Sequence, residues 1–262
     1  MSKGYPIAVW AGALLLAPTL RATSIAVYIS APSTQSTFVA GALTENFDSA
    51  APGTYQTYNS AIGTLGVTGQ DSFVIQAADQ FGGANSSQYT AFGAQSNNAN
   101  PITLALTTPA TYFGFWWSAG DANNGVTFYS GGATIQRFSM STIVSLLNNT
   151  TVTALNGTTY KSSKYFGNPN NTNQDTSEPF VYVSFVVTGS PITSIVFDNS
   201  NSTASGFESD NYSVFNGTVT VVKTAVPVTT LTTPEPATWA LWLGGIGVLA
   251  GLRRRAPGKL HS

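Results

Sequence analysis

Short runs of strand-forming residues recur along the middle of the chain, each bounded by Gly, Pro, Asn or Ser. They fall at residues 72–76, 102–106, 111–117, 126–130, 134–138, 180–188, 192–197 and 212–222. Some alternate apolar with polar positions, the period-two signature of a half-buried strand; others are continuous apolar runs. Gly131-Gly132, between two of the runs, predicts the clearest hairpin. Residues 140–148 (MSTIVSLLN) fit a short helix or a further strand, and periodicity does not decide between them. Residues 82–100 and 161–178, rich in Asn, Ser and Gln, read as long surface loops. Many short strands between turn signals predict an all-β fold, a jelly-roll-like β-sandwich whose body covers residues 31–226.

Two apolar segments break this pattern. Residues 7–20 (IAVWAGALLLAPTL) follow Lys3 and precede the small residues Ala22, Ser24 and Ala26. A basic start, an apolar centre and a small-residue exit predict a secretory signal peptide over residues 1–26, cut between Ala22 and Ala31. An uncleaved anchor is the alternative, but the run is shorter than the ~20 residues a spanning helix needs. Towards the other end, a Thr/Pro-rich linker at 227–233 leads to Pro234-Glu235-Pro236. An apolar run at 237–252 follows, and then Arg253, Arg254 and Arg255. An apolar helix closed by arginines reads as a transmembrane segment whose basic end stays cytoplasmic. At ~1.5 Å per residue it spans only ~24 Å, which suits a transient anchor.

Composition narrows the chemistry. The chain has 262 residues, no Cys and a single His, His261, next to the last position. A disulfide framework, a thiolate site and a Ser-His-Asp triad in the body are therefore excluded, and no phosphate-binding glycine loop is present. The whole chain carries a formal charge of −1, yet residues 31–230 hold ten acidic against four basic side chains. Removing the two ends uncovers an acidic body without the Lys/Arg patches that nucleic acid requires.

Pro234-Glu235-Pro236, the apolar run and the arginine cluster together resemble the PEP-CTERM sorting signal of Gram-negative bacteria, here spanning residues 234–258. The resemblance implies export through the Sec translocon, cleavage by signal peptidase and an inner-membrane intermediate. It also implies processing by exosortase, a membrane protease-transpeptidase, and delivery to the cell surface or an exopolysaccharide matrix. Such a region is sometimes labelled an ice-binding protein C-terminal domain. The scattered Thr-x-Thr pairs of this chain do not form the regular array that an ice-binding face needs. Residues 111–132 (TYFGFWWSAGDANNGVTFYSGG), with FDNS at 197–200 and FESDNYSVF at 207–215, resemble segments of one group of exosortase-dependent surface proteins. That likeness implies no biochemical activity, and Ser118-Ala119-Gly120 departs from the group's loop spacing.

Two candidate sites follow from the residues. Trp116 and Trp117 beside Asp121, Asn123 and Asn124 suggest a carbohydrate platform, in which an aromatic face stacks on a sugar ring while carboxylate and amide groups meet its hydroxyls. The two tryptophans point to opposite faces of a strand, so at most one is free to do so, and packing of both in the core is the competing reading. Glu45 and Asp48 near the first strand, with Glu208 and Asp210 near the last, form a candidate calcium set if those strands are neighbours; solvated surface carboxylates are the alternative. No other cofactor is expected. The expected function is a non-catalytic, carbohydrate-interacting component of an exopolysaccharide envelope. A glycan-active hydrolase, whose paired carboxylates sequence spacing does not reveal, and surface display without a ligand are the alternatives.

Overall fold

Antiparallel pairing of β-branched and aromatic segments builds two sheets that face each other. We describe them from a computed structural model covering residues 23–221, except residues 70, 97–99 and 172–173, together with Pro227 and Thr229–Thr232. The Pro-Glu-Pro tripeptide, the apolar run at 237–252, the arginine cluster and residues 1–22 lie outside the described residues.

Strands are numbered in chain order. The larger sheet runs β17 (Thr229–Thr232), β1 (Ser24–Ile29), β14 (Val181–Thr188), β9 (Tyr112–Ser118), β16 (Gly206–Phe215), β7 (Tyr89–Gly93), β6 (Phe73–Gln76) and β3 (Gly53–Tyr55). A short strand, β2 (Leu43–Glu45), pairs with the second half of β16. The facing sheet runs β11 (Ala133–Ser139), β10 (Asn124–Ser130), β15 (Ile192–Asn199), β8 (Ile102–Ala110), β5 (Gly63–Gly66) and β4 (Thr57–Asn59). A separate hairpin joins β12 (Thr151–Thr153) to β13 (Thr159–Lys161).

Inward-facing aromatics hold the sheets together. Phe113, Phe115, Phe185 and Phe207 of the larger sheet meet Phe128, Phe138 and Phe197 of the other. Ring centroids lie 4.8 Å apart for Phe128–Phe185, 5.4 Å for Phe138–Phe185 and 5.8 Å for Phe115–Phe197, within the range in which aromatic pairs add to simple burial. The larger sheet is also covered on its outer face. There Trp116 packs with Phe180, Tyr182, Ala84 and Ala119, and Tyr112 bonds to Ser184 and Thr37 beneath overlying loops. All seven residues of β9 are buried, which is why that segment reads as continuously apolar rather than alternating.

Several sequence expectations change at the edges. The body begins before residue 31, because β1 inserts Ile25, Val27 and Ile29 into the core and pairs with β14 over six residues. A signal peptide reaching residue 26 would remove half of that strand. The expected linker at 227–233 contains β17, which pairs with β1 in the register Ser24↔Thr232 to Val27↔Thr229. The two ends of the body thus leave from one corner of the sheet. The segment 82–100 is not simply a surface loop, since it contains the fully buried strand β7. Residues 140–148 resolve as a short helix, α1 (Ser141–Leu147), with Ile143 and Leu147 turned into the core. The strand expected at 212–222 instead ends at Phe215 and starts at Gly206. Among the described residues no helix is long and apolar enough to cross a membrane.

Candidate functional site

The site forms on the outer face of the larger sheet, where β9 and β16 end under two loops. Beyond Ser118 the chain turns through Ala119, at φ 43°, and Gly120. A Cβ on Gly120 would come within 2.7 Å of the Trp117 indole, so only glycine fits this turn. Gly120 N–H donates to the Pro179 carbonyl at 2.8 Å, tying the Asp121 loop to the loop that carries Glu178. Asn124 fixes the same turn from below. Its Oδ1 accepts from Trp117 Nε1 at 3.0 Å and from Asp121 N–H at 3.3 Å, while its Nδ2 donates to the Gly206 carbonyl at 3.1 Å.

Opposite this turn, Glu208 stands on β16 directly across from Ser118, so both side chains share the outer face. Glu208 is only 3% exposed. Gln95 Nε2 donates to its Oε1, and a Cβ on Gly206 would collide with that carboxyl, so Gly206 leaves it room. Asp121, Glu178, Glu208 and Gln95, edged by Phe81, line a cavity of about 280 Å³. A hydrogen-bonded chain runs on from Gln95 through Gln76 and Tyr89 to Asp79, with Tyr89 Oη donating to Asp79 at 2.8 Å. Asp79 lies at the wall of a second, amide-rich cavity with Asn168, Asn170 and Asn171.

The electrostatics of this cluster are those of crowded acids. Glu178 is pushed up to about 8, first by desolvation, then by its hydrogen bond to Asp175 and by the charges of Asp175 and Asp121. Burial, with the Glu178, Asp121 and Asp79 charges, raises Glu208 well above the carboxylate range against its own backbone hydrogen bond. Among the described residues the ion pair is Arg137–Asp198, 2.5 Å apart on the other sheet, so no cation in an ion pair relieves these acids. Five buried side-chain oxygens among the described residues have no hydrogen-bond partner. Two of them neighbour cavity-lining residues in the chain, Ser118 before Ala119 and Ser96 after Gln95, and neither itself lines the cavity.

The expected platform is partly dismantled by this geometry. Trp116 and Trp117 are 1% and 0% exposed and offer no face to a sugar. β9 is covered on both sides, so alternation sends one indole into each packed layer. Asp121 does reach the cavity. Asn123 braces it, its Nδ2 donating to Asp121 Oδ1 at 3.0 Å, and Asn124 is buried structural support. The expected calcium set also separates. Strands β2 and β16 are indeed neighbours, but Glu45 accepts from Phe47 N–H, Asp48 from Asn46 and Gln88, and Asp210 from the backbone N–H groups of Ala84 and Asn211. Asp210 is fully buried, and desolvation outweighs those two bonds to raise its carboxyl. No group of three or more His, Cys, Asp or Glu among the described residues is arranged to hold a metal ion. Phe81, Gln95 and Glu178 lie in segments that carry no sequence signal for a site; only the fold brings them to Asp121.

Residues 232–255 match the family model of the PEP-CTERM protein-sorting motif. The chain therefore carries a PEP-CTERM sorting signal, which implies export, processing by exosortase and delivery to the bacterial cell surface. Among curated proteins nothing matches the chain. Among solved structures it is similar to the catalytic domain of a GH87 alpha-1,3-glucanase in complex with tetrasaccharides, at 13% identity and a TM-score of 0.29. The match covers 74% of this chain and 28% of that one, and at such a score it bears on neither fold nor activity.

Proposed function

We propose that the protein is a non-catalytic, carbohydrate-binding component of a Gram-negative exopolysaccharide envelope. It crosses by the Sec translocon, is cut by signal peptidase within the residues before β1, and is held by the apolar run at 237–252 until exosortase releases it to the surface or matrix. The observation that carries the binding reading is the convergence of Asp121, Glu178, Glu208 and Gln95 on one cavity edged by Phe81. A cavity near 280 Å³ sits at the small end of ligand sites and suits about one sugar unit. The Gln95 amide and the carboxyl oxygens of Asp121 and Glu208 offer hydrogen bonds to hydroxyls, and Glu178, held protonated at neutral pH, supplies a donor as well.

Calorimetry and pull-down with exopolysaccharide purified from the producing bacterium test this. Binding should weaken about tenfold or more on Phe81→Ala and on Asp121→Asn, with the melting temperature little changed. Failure of the unaltered protein to bind would sink the reading and leave surface display alone. One observation favours a hydrolase as the second reading: a carboxyl held protonated at neutral pH beside another acid is the arrangement glycosidases use. Reducing-sugar release from the same polysaccharide, abolished by Glu178→Gln, would establish it.

A further inference from the structure

The sorting motif and the last strand overlap. The match to the motif starts at Thr232, and Thr232 is also the terminal residue of β17, seated opposite Ser24 of β1. With β17 docked, Pro234 lies two residues from the sheet, at most about 7 Å of extended chain. The apolar run begins at Ala237, five residues from the sheet, or about 17 Å. A membrane-embedded protease has to place its cleft around the tripeptide inside that gap, against the wall of a folded sandwich. With β17 undocked, the tether back to Val221 is thirteen residues, and its reach rises to about 45 Å.

β17 is placed to leave. It is the end strand of its sheet, pairs on one flank only, over four residues, with Thr230 exposed, and its further contact is with β11, the end strand of the facing sheet. β1 does not depend on it, because β14 holds β1 over six residues and Ile25, Val27 and Ile29 anchor it in the core. Undocking therefore returns one edge of backbone to water, where its N–H and C=O groups are readily satisfied. Proteins that take up extended peptides do so by adding them as strands, so a segment already extended passes from one partner to the other with little reordering.

We infer that β17 must leave β1 before exosortase can cut, so that this edge strand governs the access of the enzyme to the sorting signal. The inference rests on the sorting motif and is independent of the carbohydrate reading. Ala26 and Thr230 are register partners, and the chain has no cysteine to compete, so Ala26→Cys with Thr230→Cys makes a specific staple in the oxidising periplasm. The full-length protein, expressed in a host with its exosortase, is followed from precursor to processed form by immunoblot and mass spectrometry. The stapled precursor should be processed about tenfold or more slowly than the same variant after reduction. A control staple, Thr151→Cys with Lys161→Cys on β12 and β13, should be processed normally. A ten-residue Gly/Ser spacer inserted after Thr232 should restore processing with the Ala26–Thr230 staple intact, since it supplies about 35 Å of reach without releasing the strand. Equal rates for stapled and reduced protein, or failure of the spacer to restore processing, would overturn the inference.

Discussion

Glu178 gives the most direct quantitative check on the acid cluster. A carboxyl whose folded value is raised from 4.5 to about 8 penalises the folded state whenever it ionises. Below pH 4.5 the group is protonated folded and unfolded, and it has no effect. Between pH 4.5 and about 8 the unfolded chain releases the proton while the folded chain keeps it, so stability falls as the pH rises. Above about 8 both forms are ionised and the full penalty stands. In a dry site a shift of this size corresponds to ~5 kcal/mol. Glu178 is half-buried, and solvent screening reduces the expected penalty to ~1–2 kcal/mol. Glu178→Gln keeps the shape and removes the ionisation. Removing the charge also relieves Glu208, which Glu178 pushes up, so the two effects reinforce each other. Urea unfolding followed by tryptophan fluorescence at pH 4.5 and pH 9 should show the variant gaining ~1–2 kcal/mol on the unaltered protein across that interval. A difference that stays constant within ~0.3 kcal/mol would show that Glu178 titrates as an ordinary surface carboxyl, and the description of the cluster would fail.

Trp117→Phe keeps most of the buried ring but leaves Asn124 Oδ1 without its indole donor; a loss of ~1–3 kcal/mol in urea unfolding is expected, and an unchanged midpoint would refute the bracing role of that bond. Because the acids at Glu45, Asp48, Glu208 and Asp210 are engaged in separate hydrogen bonds, EDTA should leave the melting temperature unchanged, and a clear drop on chelation would show that a bound metal contributes to stability.

Much of the fold is legible in the sequence because packing imposes its periodicity locally. The runs at 126–130 and 134–138 with Gly131-Gly132 between them are β10 and β11, and the run at 180–188 is β14. Strands whose residues are mostly exposed leave a weaker trace: β2, β3, β12 and β13 are three residues each and flank turns, so their composition is that of loops. β1 was concealed differently, by lying where a signal peptide was expected to end. In the site, Asp121 stands out because it follows an aromatic strand, whereas Glu178 sits in an Asn-rich loop like any solvated acid.

By itself the sequence determined the all-β class, the acidic body and the sorting signal, since each is written in neighbouring residues: strand periods, charge counts, and a tripeptide followed by an apolar run and arginines. Tertiary structure alone decided that Trp116 and Trp117 are core rather than platform, because covering both faces of β9 leaves neither indole outside. It also decided which acids meet. Asp121, Glu178 and Glu208 come from three separate segments, and only the pairing of β9 with β16 and the bond from Gly120 to Pro179 place them around one cavity.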